Sequence, residues 1–100
     1  MYSKIAHGLA TKDEIVIPIP TACVVKSLTF TNKSYWNRSI DIKFADTYFL
    51  YKYQISGYRL FENTVIIPAL DHIIHDGESI TIKVSDDNSI EYLISGEIFD

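Results

Sequence analysis

The alternation of side chains across residues 39–55, S-I-D-I-K-F-A-D-T-Y-F-L-Y-K-Y-Q-I, constrains this chain more than any other feature. Ile40, Ile42 and Phe44 fall on one side, and Asp41 and Lys43 on the other. This is the period-two pattern of a strand with one dry and one wet face. Ala45-Asp46-Thr47 then reads as a turn, and a second extended run follows. In that run strict alternation groups Phe49, Tyr51, Tyr53 and Ile55 on one face. Tyr48, Leu50, Lys52 and Gln54 fall on the other. Two aromatic and β-branched runs joined this tightly predict an antiparallel hairpin at the centre of an all-β domain.

The same signals recur along the chain. Residues 1–13 read as an arm or a short leading strand around residues 4–7, docked on a neighbour. Residues 14–100 form the domain proper. Pro18 and Pro20 each remove a ladder donor, so residues 14–19 belong at a sheet edge. In residues 22–32, Leu28 and Phe30 point in, while Ser27, Thr29 and Thr31 point out. Lys26 breaks this pattern: either it snorkels at the rim, or a bulge resets the register between Val25 and Leu28. Gly57 marks a bend, with a short continuation through Tyr58, Leu60 and Phe61. Residues 64–70 are β-rich but interrupted by Pro68. Residues 71–77 read as a connection in which Ile73 and Ile74 pack, closed by an Asp76-Gly77 turn. Ile80, Ile82 and Val84 alternate inward, and the final strand carries Tyr92, Ile94 and Ile98 on one face with a break at Ser95-Gly96. No segment has the apolar period of a helix. Seven or eight short strands predict a two-sheet antiparallel β-sandwich, either jelly-roll-like or immunoglobulin-like.

One hundred residues make a single domain, small enough that a partner subunit adds usefully to the buried area. Thirteen acidic against nine basic residues argue against nucleic acid as a partner, since that needs a concentrated basic field. No apolar run is long enough for membrane insertion, and no h-region marks a signal peptide. Seven tyrosines and one tryptophan exceed what so small a core absorbs, so some are expected at an interface. The single Cys23, set among Ala22, Val24 and Val25, reads as a small buried hydrophobe.

Chemistry is sparse. Asp71-His72-Ile73-Ile74-His75-Asp76 offers metal-binding atoms, but histidines three apart diverge on a strand, so a surface turn is expected and no metal. Asp86-Asp87-Asn88 lacks the glycine and closing glutamate of a calcium loop. The glycines are scattered, and no G-x-S-x-G elbow is present. No catalytic residues and no cofactor are therefore expected, and the chain does not read as an enzyme. Two aromatic groups stand out instead. The loop Tyr35-Trp36-Asn37-Arg38 could cap the core, form a protein hot spot or stack on a sugar. Tyr48, Tyr51, Tyr53 and Tyr58, beside Lys52 and Gln54, read as a homo-oligomer surface. Asn32-Lys33-Ser34 and Asn37-Arg38-Ser39 match the glycosylation pattern.

Taken together, the Ile19-Pro20 strand end, residues 24–28 leading to Thr31-Asn32-Lys33-Ser34, the paired runs 40–44 and 48–51, residues 64–68, Asp76-Gly77-Glu78 and the closing Ile94-Ser95-Gly96-Glu97 carry a resemblance. Over residues 14–99 the chain resembles small β-sandwich proteins encoded among the virion genes of tailed bacteriophages, which serve as tail, neck or head-decoration components. This family has Pro-Ala-Gly at its first turn, where this chain has Pro20-Thr21-Ala22. The resemblance implies a virion subunit that assembles with copies of itself and docks on a larger virion protein. The alternative is a carbohydrate- or receptor-binding module that meets a host-surface glycan through the Tyr35–Arg38 loop.

Overall fold

The computed structural model describes residues 3–68 and 70–99. Met1, Tyr2, Ala69 and Asp100, which belong to the expected arm, the 64–70 run and the chain end, lie outside the described residues. The described chain is all-β, with nine strands: β1 (Ser3–Leu9), β2 (Ile15–Pro18), β3 (Cys23–Asn32), β4 (Arg38–Phe44), β5 (Thr47–Ile55), β6 (Thr64–Ile67), β7 (His72–Ile74), β8 (Ser79–Val84) and β9 (Ile90–Ile98). One 3-10 turn, Tyr58–Leu60, replaces the short extended continuation expected there.

The strands form two antiparallel sheets, ordered β1-β9-β3-β6 and β2-β8-β4-β5, with β7 also on β3. Most connections cross from one sheet to the other; only the β4–β5 hairpin and the β6–β7 link stay within one. This order is that of the jelly roll, which resolves the choice left open between jelly roll and immunoglobulin sandwich. Residues 3–9, expected as an arm or leading strand, pair with β9 of the same chain. β2, with Pro18 at its end, pairs only with β8 and forms a sheet edge.

β6 and β7 are two pieces of one edge line. Both run antiparallel to β3, at Leu28–Thr31 and at Cys23–Val25 respectively. Pro68 cannot donate to the ladder, and the chain leaves β3 there, returning at Leu70, whose amide donates to the Lys26 carbonyl at 3.0 Å. On the other side of β3 the register with β9 shifts between Val25 and Ser27. Lys26 is thus the bulged residue, and its ammonium pairs with Asp71. Ile74 is buried on the inward face of β7, whereas Ile73 points out, contrary to the expectation that both pack. β9 runs unbroken through Ser95 and Gly96.

The core fills from the inward positions of both sheets. Leu28 and Phe30 of β3, with Tyr92 and Ile94 of β9, face Ile40 and Ile42 of β4 and Ile80 and Ile82 of β8. The β-branched and aromatic content suits pleated, half-buried surfaces. Truncating one such side chain to alanine costs about 2–5 kcal/mol.

Cys23 and Tyr92 are both buried, and desolvation raises the pKa of each above its ordinary value of 9.0 or 10.0. A raised folded pKa means that the unfolded chain loses its proton first as pH rises. Their contribution to stability is therefore complete below pH 9 and is lost as pH climbs through the folded values. Denaturation midpoints measured from pH 7 to 11 are expected to fall only above about pH 9. Cys23→Val should remove the earlier part of that fall. A midpoint that stays level to pH 11 overturns the expectation.

Candidate functional site

The end of the sandwich where β3 leaves for β4 carries a tip built on Asn32. The inward alternation Leu28, Phe30 continues to Asn32, whose side chain is fully buried. Its Nδ2 donates to the carbonyls of Trp36 and Ile55, both at 3.0 Å, and its Oδ1 accepts from the Ser34 amide at 2.8 Å. One amide side chain thereby fixes residues 34–36 against the end of β5. The Asn37 Oδ1 accepts from the Gly57 amide at 3.0 Å, and the Tyr58 amide donates to the Ser34 carbonyl at 3.0 Å. The two loops close on each other so tightly that a Cβ on Gly57 would lie 2.2 Å from the Tyr35 carbonyl oxygen.

Aromatic rings stand on this frame. Tyr35 meets Trp36 edge-on at 5.0 Å and Tyr58 at 5.3 Å, while the Arg59 guanidinium lies 5.3 Å from the Trp36 ring. Trp36 does not cap the core: it is 57% exposed. Beyond the 3-10 turn, Phe61 adopts a left-handed conformation (φ 63°) and is 91% exposed, beside the exposed Leu60. The polar neighbours are partly engaged. Asn37 Oδ1 also accepts from Arg59 at 3.3 Å, and Arg38 pairs with Asp86 at 3.2 Å. The two glycosylation patterns fall on these held residues, Asn32 being buried outright.

The four expected tyrosines do not form one row. Tyr58 belongs to the tip. Against β4, β5 shifts register twice, between Ile40 and Ile42 and between Ile42 and Lys43. Each added residue on β5 flips the faces that follow it. Leu50, Tyr53 and Ile55 therefore turn toward the core, and Tyr48 and Tyr51 both turn outward, which corrects the strict alternation. Phe49 stacks on Phe44 at 5.1 Å. Lys52, at φ 51°, supplies the left-handed residue of the first bulge, and its amide donates to Asp41 Oδ1 at 2.6 Å. Tyr48 and Tyr51 contact edge-on at 4.9 Å.

Elsewhere the chemistry is structural. His72 lies 4.5 Å from the Phe44 ring, and the His75 amide donates to Glu78 Oε1 at 2.8 Å to close the turn before β8. Among the described residues no three His, Cys, Asp or Glu side chains converge on a metal-sized site. An apolar cleft of about 190 Å3 opens between β1 and β2, lined by Ile5, Ile17, Ile19 and Ile98. No protein-family model matches the chain, and no curated protein matches it.

Proposed function

We propose that this chain is a structural assembly module that associates with copies of itself and docks on a larger protein through its aromatic tip. The virion role follows from the resemblance of residues 14–99 to tailed-phage components, and the jelly roll, a fold used by viral capsid domains, agrees with it by analogy alone. The observation that carries the docking part is the tip itself. Tyr35, Trp36, Tyr58, Leu60 and Phe61 are exposed together on loops fixed by Asn32 and Asn37. Large aromatics held rigid in solvent lose little freedom on binding, which is the property of an interface hot spot. The glycan alternative at the same loop is weaker, because Asn37 Oδ1 and the terminal nitrogens of Arg38 already have partners within the chain.

Light scattering of the purified protein across a concentration series tests this reading. A discrete oligomer is expected, with association at least about thirtyfold weaker in Trp36→Ala or Phe61→Ser, equivalent to roughly 2 kcal/mol. A strict 11.4 kDa monomer at high concentration overturns self-assembly. An oligomer indifferent to both substitutions overturns a role of the tip in self-association.

A further inference from the structure

We infer that the outer face of the β2-β8-β4-β5 sheet is a binding site for a sugar unit bearing a carboxylate, such as a uronic acid. The site is independent of the tip and of the assembly reading. It is a cleft of about 230 Å3, below the roughly 300–1,000 Å3 of drug-sized pockets and suited to one ring.

The register builds the cleft. Asp41 of β4 stands opposite Lys83 of β8, and Lys43 opposite Thr81. On the other side Lys43 pairs with Tyr48, and Asp41 faces the bulge that carries Tyr51 and Lys52. Glu14, ahead of β2, lines the same cleft. Three lysines thus converge from three strands. Among the described residues none of their ammonium groups is engaged in an ion pair or a hydrogen bond. Lys43 Nζ lies 4.9 Å from the centre of the Tyr48 ring and Lys52 Nζ 5.2 Å from that of Tyr51, so each cation is held beside an aromatic wall.

The mixture of groups selects the ligand. Three lysines against Glu14 and Asp41 leave one net positive charge on this face of a chain whose formal charge is -4. A single carboxylate balances it, whereas a doubly charged phosphate would be repelled by the two acids. Carboxylates accept from sugar hydroxyls, and Thr81 offers both a donor and an acceptor. Tyr48 and Tyr51, set at 68° to each other, offer flat apolar surface to the C–H face of a pyranose. A neutral sugar leaves the lysines unused, and a simple anion leaves the tyrosines unused.

The test is a titration of the full chain, followed by amide NMR shifts, with glucuronate, glucose and inorganic phosphate in parallel. Saturable shifts at Asp41, Lys43, Tyr51 and Lys83 are expected with glucuronate, with a Kd of the order of 1 mM that weakens with salt. Glucose should bind at least about tenfold more weakly, and Lys83→Gln, an exposed position, should weaken glucuronate about fivefold with the remaining spectrum unchanged. Tyr51→Ala provides a second variant with the same expectation. Tighter binding of an oligosaccharide ending in glucuronate identifies a glycan chain as the source, and equal binding the free acid. No saturable response to glucuronate, equal response to glucose, or phosphate binding as tight as glucuronate each overturns the proposal.

Discussion

Replacing Asn32 with alanine is expected to remove about 3–5 kcal/mol of stability and to lower the melting temperature by about 15–30 °C. The side chain serves two carbonyls and one amide, and all three lose this partner at once; the bond to Ile55 is buried, and those to Trp36 and Ser34 are partly buried. Leaving each buried group unsatisfied costs about 1–3 kcal/mol. Tryptophan fluorescence should report the same event, because the Trp36 carbonyl is one of the three partners. Asn32→Asp separates the amide's role from its volume. Its carboxylate faces the Trp36 and Ile55 carbonyls with no proton to give, so this variant should regain stability as the carboxyl is protonated in acid. An alanine variant within about 1 kcal/mol of the parent would show that the tip holds itself together without this residue.

Gly96→Ala should be more damaging still, with a loss above about 4 kcal/mol and a poor yield of folded protein. A Cβ at this position would sit 1.9 Å from the Val24 carbonyl oxygen and 3.0 Å from Ile5 Cδ1. The obstacle is backbone, and it lies beside the Lys26 bulge where β9 is pressed between β1 and β3. Relief requires the central strand to move. Gly77→Ala is the control: its φ of 85° favours glycine, but nothing lies within 4 Å of the added atom. That variant should lose only about 1 kcal/mol. Urea denaturation of the pair distinguishes close approach from backbone conformation. A Gly96→Ala protein as stable as Gly77→Ala would refute the packing argument.

These two residues also mark where the sequence stops being readable. β4 and β8 followed simple alternation because nothing interrupts their pairing with each other, and Ile40, Ile42, Ile80 and Ile82 are buried as their spacing requires. The bulge at Lys26 was visible because a lysine among inward valines cannot be ignored. The two bulges of β5 were not, because no glycine announces them and Lys52 takes the left-handed conformation itself. For that reason strict alternation groups Tyr51 with Tyr53 and Ile55, whereas the structure turns Tyr51 outward and the other two toward the core. Ser95-Gly96 looked like a break because a turn and a tight crossing of strands select the same small residue. Asn32 was legible in principle: one further step of the Leu28, Phe30 alternation points it inward. Its membership of a polar loop hid that step. The Tyr35–Trp36 pair was found as a local cluster, but its partner Tyr58 arrives from beyond the hairpin. The lysine cleft gathers Lys43, Lys52 and Lys83 from three strands, and no local spacing encodes such a meeting.

Each free sheet border has its own irregularity. β2 ends at Pro18, β5 carries two bulges, the β6–β7 line is broken at Pro68, and β1 shifts register between Lys4 and Ala6. Irregular borders make poor templates for an incoming strand. Copies of this chain crowded side by side should therefore keep their hydrogen-bond ladders to themselves. Contact between them is left to side chains, which come apart and re-form without any molecule having to unfold.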